Sequence, residues 1–166
     1  KSHTALPSAF SSPLTGVLGL VAEGRPRLYT RLAGNPVLAS GDGPPAPVAL
    51  LKIAMGDDGR LLDAVPDLGF AGTVIEGMGA GHVHADVAPK AGALATRLPV
   101  VLASRAMTGP VFTRTYGYPG GEIDLIERGV VPGGYLSSLK ARLLLGLALR
   151  HGGDLDAARA AFAPYQ

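Results

Sequence analysis

From Val48 onward, apolar positions fall into short continuous runs, each followed by a stretch with helical spacing. Val48 to Ala54, Gly72 to Glu76 and Pro99 to Ser104 have the length and apolar continuity of strands buried on both faces. Between them, Arg60 to about Val65 and about Asp86 to Arg97 read as helices. This alternation predicts a small parallel-sheet, Rossmann-like α/β domain with flanking helices on both faces and right-handed connections. Residues 105–128, rich in Gly, Pro and Tyr, read as one long irregular segment, and Val130-Val131 as a short fourth strand. Leu136 to Arg150 reads as a helix with Leu136, Leu139, Leu143 and Leu147 as its core-facing stripe. Ser137 or Ser138 would cap its start and Gly152-Gly153 would end it. Asp154 is placed to cap a last helix running to Phe162.

The first 47 residues follow a different rhythm. Val17 to Ala22 and Arg25 to Leu32 flank Glu23-Gly24 and predict a β-hairpin. Gly34-Asn35-Pro36 and Ser40 to Pro47 carry too many Gly and Pro residues to continue a helix or a central strand. Residues 1–47 therefore read as a hairpin arm and interdomain linker, and residues 48–166 as the α/β domain.

Composition narrows what such a chain can do. With 47% apolar and 17% charged residues, it has the means to build a core. The absence of Cys removes disulfides, thiolate nucleophiles and Cys-ligated metal centres. Lys and Arg number 15 against 13 acidic residues, scattered without a basic run, so nucleic acid is not an expected partner. The oiliest run, Leu143 to Leu149, is far too short to span a bilayer, and no membrane association is expected. The chain opens on Lys1 without a Met, which reads as a fragment or a processed product, and the compartment is left open with a leaning to the cytoplasm.

Candidate chemistry collects after the strands. Gly77-Met78-Gly79-Ala80-Gly81-His82 follows the second strand, where alternate glycines suit either an anion-binding turn or a plain strand-to-helix turn. A dinucleotide fingerprint needs Gly at position 82, which is His, so that motif fails by one residue. His82 and His84 lack a third ligand at metal spacing, and no metal or other cofactor is predicted. Arg105 could hold a carboxylate at the end of the third strand, while Tyr116, Tyr118 and Glu122 could line a pocket from the irregular segment. No nucleophile elbow, phosphate loop or His-Glu-x-x-His is present.

Several segments together resemble the bacterial L-asparaginases. Lys1-Ser2-His3-Thr4 and Ala9 to Gly19 resemble the end of that family's N-terminal domain. Gly77 to Val83 is similar to its Gly-rich motif, Pro99 to Arg105 with Thr108-Gly109 to its next strand and loop, and Leu136 to Leu145 to its Lys-Ala-Arg helix. Ala161-Phe162 to Tyr165 resembles its usual ending. The resemblance implies a C-terminal domain that completes the pocket of an enzyme hydrolysing asparagine, with glutamine as a second amide, to the acid and ammonia. The Thr nucleophile would lie in a missing N-terminal domain, the full-length protein would be a homo-oligomer, and no catalytic residue would lie in this chain. Gly79, Gly81 and His82 fall on the family's substrate-facing motif, His82 where well-studied members carry Asn. A Glu that the family places in the following loop falls on Tyr116 by gapless count, with Glu122 as the nearest acid. The alternatives are a non-catalytic α/β domain binding a small ligand, or the matching domain of an asparaginase-like amidotransferase subunit.

Overall fold

The computed structural model describes residues 5–12, 15–31, 34, 36–38 and 42–166. Lys1 to Thr4, Pro13-Leu14, Leu32, Asn35 and Ser40-Gly41 of the segments read above lie outside the described residues. The chain divides into two units, Lys1–Val37 and Leu38–Gln166.

In the first unit, β1 (Gly19–Ala22) and β2 (Arg25–Leu28) pair antiparallel, with Ala22 opposite Arg25. The two residues between them, Glu23 and Gly24, have φ of 50° and 74°. Two positive φ values in a two-residue connection match the right-handed twist of the strands, and the hairpin closes as expected.

The second unit is built on β3 (Val48–Lys52), β4 (Gly72–Gly77), β5 (Val100–Ser104) and β6 (Val131–Pro132), parallel and adjacent in chain order. The intervening α1 (Arg60–Ala64), α2 (Ala88–Ala95) and α3 (Glu122–Glu127) share one face, as same-handed crossovers stepping in one direction require. On the other face lie α4 (Ser138–Ala148) and α5 (Leu155–Phe162). Side-chain alternation divides β5 between two cores: Val100 and Leu102 pack with Leu62, Val87, Leu94 and Leu125, while Val101 and Ala103 pack with Ala141, Leu145 and Phe162. Every position of β4 and β5 is buried, which explains their nearly continuous apolar runs. Burying a side chain such as Phe162 contributes about 1.5–3 kcal/mol, so both layers hold the sheet firmly. Among the described residues no helix is long and apolar enough to cross a membrane.

Three expectations require correction. The segment 105–128 is not irregular throughout, because it ends in α3. That helix has six residues, fewer than two turns and too few for an apolar period to repeat, and it starts where Asp124 Oδ2 accepts the Gly120 N–H at 2.8 Å. The stripe assigned to α4 is also rotated. Leu139 and Leu143 are 50% and 58% exposed, whereas Ala141, Leu145 and Gly146 are buried. The helix lies close to its neighbours, Ala46 N–H donating to the Gly146 carbonyl at 2.8 Å, so small residues rather than the leucines of the expected stripe occupy much of the contact face. Finally, Ser137 holds the N-cap position of α4 but makes no side-chain cap bond, and Ser138 donates its hydroxyl to Glu76 instead. Asp154 does cap α5, accepting the N–H groups of Asp156 and Ala157 at 3.1 Å.

Candidate functional site

Gly77 stands beside Ser104 in the β4–β5 ladder, so the loops leaving the C-terminal ends of both strands meet. Crevices outside those ends are where open α/β sheets bind ligands. After Gly77 the chain turns back at once. Met78 and His82 form an antiparallel bridge, each N–H donating to the other's carbonyl at 2.8 Å. Gly81 has φ of 108°, and a Cβ there would come within 2.8 Å of Val111 and 3.0 Å of Leu102, so this bend requires glycine.

The same bonding commits part of the turn's backbone to its own fold. The amides of Met78, Gly81 and His82 all donate to carbonyls within it, and α2 begins only at Ala88. A small-anion site needs free, convergent N–H groups, so these three amides would not contribute to one.

The second loop is tied onto the first. Ser104 donates its hydroxyl to the Gly79 carbonyl and accepts the Ala106 N–H at 2.9 Å. Phe112 N–H donates to the Ala80 carbonyl at 2.9 Å, and Val83 N–H to the Gly120 carbonyl at 2.9 Å. Gly120 has φ of 86°, and a Cβ on it would collide with the Val83 carbonyl oxygen. Glycine there lets the loop press against the chain just past His82.

His82, Tyr116, Tyr118 and Glu122 converge as a result. His82 Nε2 lies 3.2 Å from Glu122 Oε2, and its Nδ1 lies 3.1 Å from the Tyr118 hydroxyl. Tyr116 meets the imidazole edge-on with centroids 4.9 Å apart, and Phe112 stacks against Tyr116. Glu122 is fully buried, and its Oε1 accepts the N–H groups of Thr115 and Tyr116 at 2.9 and 2.8 Å. Burial pushes this carboxyl up, but the Tyr116 and Thr115 amides and the His82 contact outweigh it and hold the group below its ordinary value. Tyr116 and Tyr118 are 39% and 48% exposed, so the cluster opens outward through its tyrosines.

The remaining candidates lie apart. Arg105 is exposed at the end of β5, where its N–H donates to the Gly77 carbonyl at 3.0 Å. His84 is exposed and 3.4 Å from Asp86. No group of three or more His, Asp or Glu side chains among the described residues could hold a metal ion. Sequence reasoning missed a second charged cluster: Glu76, near the end of β4, takes the Ser138 hydroxyl and lies 2.9 Å from Lys52 Nζ. Its signal was an acid closing an otherwise apolar strand.

Residues 47–162 match the family model described as the glutaminase/asparaginase C-terminal domain. An L-asparaginase from Bacillus licheniformis is 33% identical over 150 residues, covering 90% of this chain and 46% of the relative. A glutamyl-tRNA(Gln) amidotransferase subunit from Methanosarcina barkeri is 29% identical over 138 residues, covering 80% and 32%. Among solved structures, a probable cytoplasmic L-asparaginase from Campylobacter jejuni superposes with a TM-score of 0.78 at 28% identity, covering 99% of this chain and 50% of that one. The chain spans less than half the length of these curated relatives.

Proposed function

Since this chain belongs to the glutaminase/asparaginase family as its C-terminal domain, we propose that it completes the pocket and supports the assembly of an amide hydrolase acting on asparagine, with glutamine as a second substrate. In this reading a Thr hydroxyl from an N-terminal domain attacks the side-chain amide, ammonia leaves, and water releases aspartate from the acyl-enzyme. Residues 1–47 serve as the hairpin arm and linker between the domains, and residues 48–166 face the pocket of a neighbouring protomer. Tyr116 meets the substrate, His82 serves it through the tyrosines packed against its ring, Gly79 and Gly81 shape the turn that carries His82, and Glu122 fixes that ring. A cytoplasmic location belongs to the same proposal.

The observation that supports it best is His82 itself. Its backbone is bridged on both its N–H and its carbonyl, and its ring lies under two outward-facing tyrosines on a surface with no nucleophile motif of its own. The 166-residue chain alone should release no ammonia from asparagine above background. Joined to its N-terminal domain it should do so, and His82→Ala, which removes the ring that seats Tyr116 and Tyr118, should raise KM or shift the asparagine/glutamine ratio. Turnover by the isolated chain after removal of host enzyme overturns the first part, and unchanged kinetics for both amides overturns the second.

The amidotransferase likeness supports a second reading, in which the same face serves a protein that passes ammonia to a tRNA-linked substrate. Amide nitrogen recovered on glutamyl-tRNA rather than as free ammonia would favour it.

A further inference from the structure

We propose that Tyr118, His82 and Glu122 form a proton relay whose outward end is the Tyr118 hydroxyl. It rests on the reading above for its chemistry, although its geometry stands independently. The direction follows from counting donors and acceptors. Glu122 Oε1 already accepts two backbone N–H groups, the carboxyl also takes its own backbone N–H, and Oε2 faces His82 Nε2. An ionised carboxylate has no proton to give, so Nε2 carries the hydrogen. In the neutral ring Nδ1 is then an acceptor, and the hydroxyl 3.1 Å away points its proton inward at Nδ1. The lone pairs of Tyr118 are left facing outward, on a side chain nearly half exposed. His82 therefore has both ring nitrogens engaged within the fold, and the group offered to a docked partner is the tyrosine. Tyr116 borders the ring edge-on without a hydrogen bond to it.

The step balances. A hydroxyl or water of the docked pocket gives its proton to the Tyr118 oxygen, while the phenol's own proton passes to Nδ1. The imidazolium so formed stays bonded through Nε2–H to the Glu122 carboxylate. On the return, the phenol releases its proton to the departing amide nitrogen and recovers the one held on Nδ1. Tyr118 is the catalytic residue of this relay; His82 and Glu122 are positioning residues.

One substitution inverts the relay without removing a hydrogen bond. In Glu122→Gln the side-chain carbonyl must stay at the Oε1 position to accept the Thr115 and Tyr116 amides, which turns the NH2 toward His82 Nε2. Nε2 then becomes the acceptor, the proton moves to Nδ1, and Tyr118 is forced to accept from the ring. Nitrogen-15 NMR of His82 at neutral pH should record the Nε2–H tautomer in the native chain and Nδ1–H in Glu122→Gln. In the polypeptide carrying the N-terminal domain, Glu122→Gln and Tyr118→Phe should each lower kcat for asparagine by about 100-fold with KM little changed, the size expected for losing a positioned acid–base group. A native Nδ1–H tautomer, or one tautomer in both proteins, overturns the relay. So does Tyr118→Phe turning over at the native kcat, or a loss confined to KM, which marks a merely structural or binding role. A native polypeptide that hydrolyses no amide overturns the functional reading and the relay's chemistry with it, and it is told apart by a tautomer switch that still occurs.

Discussion

Glu76 and Glu122 are both buried carboxylates held below their ordinary value, yet their partners differ in kind. Burial raises Glu76, and the Ser138 hydroxyl and the Lys52 ammonium outweigh it. Those partners come from α4 and β3, so Glu76 ties a helix and the edge of the sheet to β4. Its charge is balanced by a lysine that is 65% exposed and free to exchange its partner for water. Burial also raises Glu122, but there the opposing groups are fixed backbone amides of its own loop, followed by a histidine. No cation neutralises it in the contacts described. A carboxylate balanced by a formal charge acts as a tie; one balanced only by dipoles keeps its charge and turns the ring beside it. The first belongs to stability and the second to the role proposed for His82, although both begin as a glutamate near the C-terminal side of the sheet.

Truncation should separate the two most strongly. Glu122→Ala leaves the amides of Thr115 and Tyr116 without their acceptor in a buried loop, and an orphaned buried group costs about 1–3 kcal/mol. A loss of about 2–5 kcal/mol is expected from the urea midpoint of the chain. Glu76→Ala strands only the Ser138 hydroxyl, because Lys52 returns to water, and should cost about 1–2 kcal/mol. Equal losses would mean that Glu76 is bound into the fold as tightly as Glu122, and the distinction would fail.

How far these roles were legible in the sequence depends on how local their causes are. The strands from Gly72 and Pro99 could be read because burial on both faces writes itself as continuous apolar runs. The α5 start could be read because Asp154 caps through bonds two and three residues away. The α4 face could not, because Ala141 and Gly146 owe their burial to the chain at Ala46 and the sheet, whereas Leu139 and Leu143 only look like core. His82 stood out through its Gly-rich setting. Tyr118 and Glu122 were readable as pocket candidates, but their pairing with His82 was not: they lie 36 and 40 residues away, and only the tied loops bring them to opposite nitrogens of one ring. Glu122 itself read as a loop acid, since nothing in sequence order reveals that its side chain turns back onto the amides of residues 115 and 116.

Acid should act on both glutamates in the same direction. A carboxyl held below its unfolded value contributes stability that is fully present above that value, about pH 4.3 for Glu, and lost as pH falls through the lower folded value. Urea midpoints measured from neutral pH down to about pH 3 should therefore fall more steeply for the native chain than for Glu76→Gln or Glu122→Gln, which have no charge to lose at that position. The native and variant curves should draw together as pH falls below the unfolded value and through the lower folded one. Curves that run parallel throughout would show that neither carboxyl is held down by its fold.

The smallest effect tests the comparison from the cation's side. Lys52→Met removes the one formal charge bonded to Glu76 while keeping an apolar stem over the end of β3. The lysine is largely exposed, and a pair of this kind is screened by solvent and contributes about 0–1 kcal/mol. Glu76 keeps the Ser138 hydroxyl and enough solvent contact, at 9% exposure, to stay ionised. The urea midpoint at neutral pH should move by no more than about 1 kcal/mol, and the acid limb of the curve should shift toward higher pH, because the carboxyl has lost a group that held it down. A loss of several kcal/mol would instead mark Glu76 as a carboxylate that cannot survive without its cation. It would then stand in sharper contrast to Glu122, which is held ionised by backbone amides and the His82 contact.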